Sequence, residues 1–421
     1  MTPRRRFILG ASAAVLAGCA APRASASLGR VVVIGGGYGG ATVARYLRDW
    51  SGGAIDVAVV ERDRAFVSCP MSNLVIGGTK SLADITYEYD GLARRGVTHV
   101  HDMAMHVDVE RKRVMLRSGE SLRYDRLVVS PGIDFDWSAL PAFADARVRE
   151  RYPHAWRAGA QTLALRAQLE AMRAGGVFAI SIPLAPFRCP PAPYERACQV
   201  ASWLAHANPR AKLLVLDAND DVLSKKELFK AAWRDLYPQI VEYRPNCTLT
   251  DIDAATGTLK FEFADDVKAD VCNVIPPQRA GAIAADAGVV TANGRWCEVD
   301  FLTFESIRVK DVHVLGDAIQ TAPLMPKSAH MANQQAKVCA AAIVALMSGD
   351  AVDPAPLMAN TCYSFMSDRL AAHVTSVHRY DAAQKTFLPV EGAGGLSEAS
   401  NELEARYGEA WAHNIRADSF G

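Results

Sequence analysis

Excess charge of either sign is missing from this sequence: 421 residues carry 46 Lys and Arg against 46 Asp and Glu, a formal net charge of zero. That balance gives no support to a bulk electrostatic attraction for nucleic acid or an acidic membrane; a local patch stays open, and a macromolecular partner is expected to be met through a specific surface. An apolar run long enough to span a bilayer, about 20 residues, is also missing. None of the nine cysteines opens a CxxCH sequence, so the usual motif attaches no c-type haem to this chain. His99, His101 and His106 are loosely grouped, but no cysteine or carboxylate completes a ligand spacing, and no metal is expected. Beyond residue 27 there is no repeat or low-complexity tract apart from a loop from Glu391 to Ser397.

Half of the residues are hydrophobic, and the length suits two or three domains with sizeable cores. Arg4-Arg5-Arg6-Phe7-Ile8 leads into the short apolar run Leu9 to Ala17, a pattern that resembles a twin-arginine export signal. Cleavage after Ala24-Ser25-Ala26 would give a soluble periplasmic product; Leu16-Ala17-Gly18-Cys19 also resembles a lipoprotein processing box, which would attach lipid to Cys19. The oxidising compartment permits disulfides among Cys69, Cys189, Cys198, Cys247, Cys272, Cys297, Cys339 and Cys362.

The strongest motif is Val31-Val32-Val33-Ile34-Gly35-Gly36-Gly37-Tyr38-Gly39-Gly40, followed by a helical pattern. A strand feeding Gly35, Gly37 and Gly40 supplies the tight turn, close backbone approach and helix contact that a pyrophosphate needs. Roughly 20 residues on, the strand Ile55 to Val60 ends at Glu61, placed to accept hydrogen bonds from a ribose. Tyr124 to Gly132 and Val312 to Ala318 each read as a strand and turn, and resemble the later motifs of two-dinucleotide-domain flavoproteins, in which the aspartate at Asp317 contacts the ribityl chain. Ser328 is placed to cap a helix running to about Met347. Lys327 beside it is either a cation for a reduced flavin ring or a solvated surface lysine.

A second nucleotide-type pattern has Val177 to Ile182 as a strand, Tyr194 to Ala205 as a helix and Leu213 to Leu216 as the next strand. Its turn, Pro183-Leu184-Ala185-Pro186-Phe187, contains no glycine, and its prolines remove the N–H donors a phosphate would need. Asp217 is at best a vestigial counterpart of Glu61, so NADH binding is disfavoured. In place of a phosphate loop stands Phe187-Arg188-Cys189-Pro190-Pro191-Ala192-Pro193-Tyr194-Glu195. Cys198 and Cys339 fall on apolar helical faces and read as core.

The words Phe66-Val67-Ser68-Cys69-Pro70-Met71-Ser72-Asn73, Phe187-Arg188-Cys189-Pro190-Pro191, Val274 to Gly281, Pro326-Lys327-Ser328, Asn360-Thr361-Cys362-Tyr363-Ser364 and the tail Asn414 to Gly421 resemble the flavoprotein subunit of flavocytochrome c sulfide dehydrogenase. That resemblance implies an α/β, two-dinucleotide-binding-domain flavoprotein of the glutathione-reductase-like kind with a C-terminal α+β domain. The expected parts are a signal peptide (1–27), an FAD-binding domain (28–141 and 270–350), a degenerate NAD-binding-like domain (142–269) and a C-terminal flavin and interface domain (351–421).

The resemblance further implies FAD joined covalently through Cys69, which the bare sequence would leave as a structural thiol, and a redox-active disulfide between Cys189 and Cys362. By the same analogy Cys362 is the sulfur nearer the flavin. Hydrosulfide would attack the disulfide to leave a persulfide and a thiolate. Glu195 is either an acid/base beside the pair or a helix-start acid favoured by the dipole. Electrons would pass singly to a c-type cytochrome subunit carrying the haem. Two alternatives use the same cysteines: a sulfide:quinone oxidoreductase, disfavoured because Leu396 to Gly421 lacks a membrane-binding apolar face, and an accessory redox protein of periplasmic sulfur oxidation. Ala329-His330 and Val377-His378-Arg379 depart from the family pattern and leave substrate preference and partner surface open.

Overall fold

The computed structural model describes residues 27–421; the expected export signal and Cys19 lie outside them. In a seven-stranded sheet, Gly29–Ile34 is flanked in parallel by Ile55–Glu61 and Arg126–Val129. Val31, Val32 and Val33 have no exposed surface, as expected of a parallel strand covered on both faces. Val312–Val314 joins this sheet beside Arg126–Val129, so segments far apart in sequence share one core.

The fingerprint turn follows from local sterics. Gly35 has φ +97°, and a Cβ there would stand 2.3 Å from the Ser130 carbonyl oxygen. At Gly40 a Cβ would meet the Gly35 oxygen at 1.8 Å. Only glycine lets the helix Tyr38–Trp50 start so close to the strand.

A second, four-stranded parallel sheet runs Val241–Arg244, Lys212–Asp217, Val177–Ile182, Val271–Val274. The last of these strands corrects the expected limit at residue 269. Val271–Val274 contains only buried residues and pairs with Val177–Ile182, because leaving that strand unpaired would bury an open row of backbone donors and acceptors. Helix Ala192–Ala207 covers this sheet, with Pro191 and Pro193 at its start, where missing N–H groups cost nothing.

The C-terminal part is an antiparallel sheet, Leu357–Phe365, Ala371–Asp381 and Thr386–Pro389. Helix Glu402–Phe420, capped by the Asn401 side chain accepting from the Glu404 N–H, packs on it and on helix Tyr38–Trp50. Phe420 ends buried in an aromatic cluster, stacked on Phe66 at 5.1 Å between ring centroids and 5.7 to 6.0 Å from Tyr38, Tyr87 and Tyr89. No helix among the described residues is long and apolar enough to cross a membrane.

Candidate active site

A cavity of about 900 Å³ runs from the glycine turn to the cysteine turn. Gly35, Gly37, Glu61, Cys69, Cys189, Glu195, Asp317 and Cys362 all line it. Gly40 lies behind it as a packing residue against Gly35.

At the nucleotide end, a Cβ on Gly37 would meet only Phe66, at 3.6 Å, which leaves the turn open to the cavity. Glu61 accepts from the Gly36 N–H at 2.8 Å and the Asp63 N–H at 3.1 Å; each carboxylate oxygen keeps a lone pair for a further donor. Asp317 Oδ1 is buried with no hydrogen-bond partner, and so is Trp156 Nε1; both residues line the cavity. Burial raises the Asp317 pKa, opposed by Arg188 and Lys327. An unmet buried acceptor costs about 1–3 kcal/mol, which a ligand hydroxyl would relieve. An open glycine turn, an acid after the second strand and an orphan acceptor further in fit a flavin dinucleotide.

Lys327 corrects its expected placement. Its ammonium does not line the cavity; it donates to the carbonyl oxygens of Asp317 at 2.9 Å and Ile319 at 2.5 Å and sits 3.7 Å from the Trp296 ring centroid. Burial pushes its pKa down to about 7. Two carbonyls and an aromatic face compensate a buried ammonium that solvent cannot reach, so the side chain braces the Asp317 turn from behind. Ser328 caps helix Ala329–Ser348 as expected, accepting from the Met331 N–H at 3.0 Å.

At the other end, Cys189 has φ +57°, a left-handed backbone that costs a non-glycine residue about 1–2 kcal/mol. Two bonds hold it there: its N–H donates to the Lys327 carbonyl at 2.7 Å, and its carbonyl accepts from the Ala192 N–H at 2.9 Å. Gln278, from the Val274 to Gly281 segment, accepts from the Arg188 N–H at 2.9 Å. Burial pushes the Cys189 thiol pKa up, with Cys362 and Glu195 adding to it and Lys225 and Arg188 opposing. Cys362 lies on strand Leu357–Phe365, its Sγ 3.6 Å from the side chain of Asn360, whose Oδ1 accepts from Ser328 Oγ at 2.7 Å. All eight described cysteines are free thiols.

Glu195 joins the two cysteine segments. Its Oε1 accepts from the Phe365 N–H at 2.9 Å, on the strand of Cys362, and its Oε2 accepts from Asn73 Nδ2 at 2.7 Å, four residues after Cys69. Burial raises its pKa, opposed by those two bonds and by Lys225 and Arg196. Buried Arg196 donates to Asn73, Asn273 and the carbonyls of His154 and Ala155 at 2.7 to 3.0 Å, and burial pushes its pKa down to about 9. It fixes the segment whose Trp156 carbonyl lies 3.7 Å from Cys69 Sγ and also accepts from Arg188.

Asn73, Trp156, Arg188, Arg196 and Lys225 were not legible as site residues. Asn73 and Arg188 stood inside motif words without a role, and the others carry no local signal. Cys198 and Cys339 are fully buried core residues, as expected; Cys247, Cys272 and Cys297 are also buried. Asp217 is buried and accepts from the hydroxyls of Tyr194 at 2.7 Å and Tyr243 at 3.1 Å.

Comparison with known proteins gives three family matches: pyridine nucleotide-disulphide oxidoreductase over residues 29–169, the central part of the sulfide dehydrogenase [flavocytochrome c] flavoprotein chain over 162–276, and the flavin-binding part of flavocytochrome c sulphide dehydrogenase over 354–420. The sulfide dehydrogenase [flavocytochrome c] flavoprotein chain of Chlorobaculum thiosulfatiphilum is 56% identical over 46 residues, 11% of this chain and 94% of that sequence. Mitochondrial sulfide:quinone oxidoreductase of Dictyostelium discoideum is 22% identical over 302 residues, spanning 68% of this chain and 65% of the relative. The solved sulfide:quinone oxidoreductase of Aquifex aeolicus has the same fold, with a TM-score of 0.76 at 17% identity and 92% of each chain covered.

Proposed function

Because the chain belongs to the flavocytochrome c sulfide dehydrogenase flavoprotein family, we propose that it oxidises sulfide at Cys189 and Cys362, with FAD held at Cys69 and a c-type cytochrome subunit as acceptor in the periplasm. The observation that carries this reading is that both thiols, Glu195, Cys69 and the nucleotide turn open onto one cavity.

When bound, FAD supplies a two-electron acceptor that can release electrons one at a time. Gly35 and Gly37 would cradle its pyrophosphate, Glu61 its ribose and Asp317 its ribityl chain, with Cys69 as the point of covalent attachment. Hydrosulfide attacks one sulfur of the oxidised Cys189–Cys362 pair; the S–S bond breaks, a new S–S bond forms to the substrate, and the other cysteine leaves as thiolate. Glu195, its pKa raised by burial, takes up and returns the substrate proton. Persulfide, polysulfide or elemental sulfur is the product.

The test is sulfide-dependent bleaching of the flavin absorbance. Wild type is expected to bleach and Cys362→Ser to lose at least 100-fold in rate; equal bleaching in both overturns the role of the pair. The likeness to sulfide:quinone oxidoreductases favours quinone as a second acceptor reading. Reduction of cytochrome c but not of a soluble quinone separates the two.

A further inference from the structure

Lys225 is 5% exposed, and its ammonium makes a single hydrogen bond, to Ser364 Oγ at 3.1 Å. Ser364 is itself buried and stands two residues from Cys362 on the same strand face. The neighbouring lysines differ: Lys226 and Lys230 both pair with Asp221, at 2.5 and 2.7 Å, near the surface. Among the described residues no carboxylate forms an ion pair with Lys225. The backbone is also held against its preference, at φ +53°. A long side chain kept in a left-handed conformation, buried and without a direct ion pair, is a costly arrangement.

Three groups from three elements act on the ammonium through charge: Cys362 on its strand, Cys189 on the proline turn and Glu195 on helix Ala192–Ala207. Burial lowers the Lys225 pKa, and these three oppose that shift, Cys362 most. Lys225 does not itself line the cavity; its one hydrogen bond reaches the strand that carries Cys362.

We infer that Lys225 is a positioning residue that stabilises the thiolate released from the cysteine pair, an inference resting on the sulfide-oxidising reading. The charge ledger supports it. Hydrosulfide brings one negative charge to a neutral disulfide. As the S–S bond breaks, that charge appears on the departing cysteine sulfur, where burial disfavours it. A cation already in place, with no carboxylate in direct ion-pair contact, offsets the charge with no reorganisation.

The test uses the FAD-loaded full chain reduced with dithiothreitol, and reads the alkylation of Cys189 and Cys362 by iodoacetamide from pH 6 to 9 by peptide mass spectrometry. Lys225→Met is expected to slow alkylation of the pair at pH 7 by about tenfold, an alkaline displacement of about one pH unit. Lys225→Arg is expected to restore most of the rate, and Ser364→Ala, which frees the ammonium, to fall between. Wild-type alkylation in Lys225→Met overturns the inference, as does Lys225→Arg as slow as Lys225→Met, since packing would then be responsible. If Lys225→Met does not fold, Ser364→Ala decides: a slowed profile supports the inference and an unchanged one overturns it. No sulfide enters this assay, so a wild type that fails to oxidise sulfide would sink the proposed function while leaving the alkylation result to stand by itself.

Discussion

At the scale of single residues, the cysteine turn stores backbone strain where the proposed chemistry happens. Replacing Cys189 by glycine removes the left-handed penalty along with the thiol, while alanine keeps the penalty. Cys189→Gly is therefore expected to be more stable than Cys189→Ala by about 1 kcal/mol in urea unfolding, and both should lose sulfide-dependent bleaching. Glu195→Gln keeps an acceptor for the Phe365 N–H but cannot exchange a proton. It is expected to lower sulfide turnover about 100-fold, with the flavin spectrum retained. Lys327 shows where sequence reading stops at this scale. Its position before a helix cap suggested a cation for the cofactor, but its direction is set by Trp296 and by carbonyls presented by another segment, and nothing in the local residues carries that.

At the scale of elements, local pattern served better. Val177–Ile182 has the bounds expected of it, because an uninterrupted apolar run beside prolines admits little else. Helix Ala192–Ala207 starts two residues before Tyr194, since proline is tolerated in a first turn. The missed residues converge through long-range contacts, Asn73 meeting Glu195 across 122 positions, which no period reports. The C-terminal helix is the element on which the nucleotide end leans. Phe420→Ala is expected to cost about 3–5 kcal/mol in unfolding free energy and to speed flavin loss from a Cys69→Ser background. A Cβ on Gly91 would lie 1.8 Å from the Phe420 carbonyl oxygen. Gly91→Ala should thus expose the helix end to limited proteolysis; resistance equal to wild type would contradict the packing.

At the scale of the whole molecule, buried histidines set the acid limit. His313 donates from Nδ1 to the Thr303 carbonyl at 2.8 Å and accepts at Nε2 from Arg126 at 3.1 Å, an arrangement available only to the neutral ring. Burial pushes its pKa down to about 4, and that of His154 to about 3. Above pH 6.5 both folded and unfolded forms are neutral. Below it the unfolded chain binds protons that the folded chain refuses, so stability falls as pH drops toward the folded values. Each histidine should remove about 2 kcal/mol between pH 8 and pH 5, and His313→Gln should recover that amount in urea unfolding. Sequence pattern revealed the fold and the cysteine turn at Cys189 at this scale; it did not reveal which polar groups the packing would bury.

Thr42, in the helix that follows the glycine turn, shares a hydrogen bond with Ser419, 377 positions later. On a ribosome adding about 5–20 residues per second, that partner is made roughly 20–75 s after Thr42. The helix behind the glycine turn therefore waits through most of translation for the segment that packs on it.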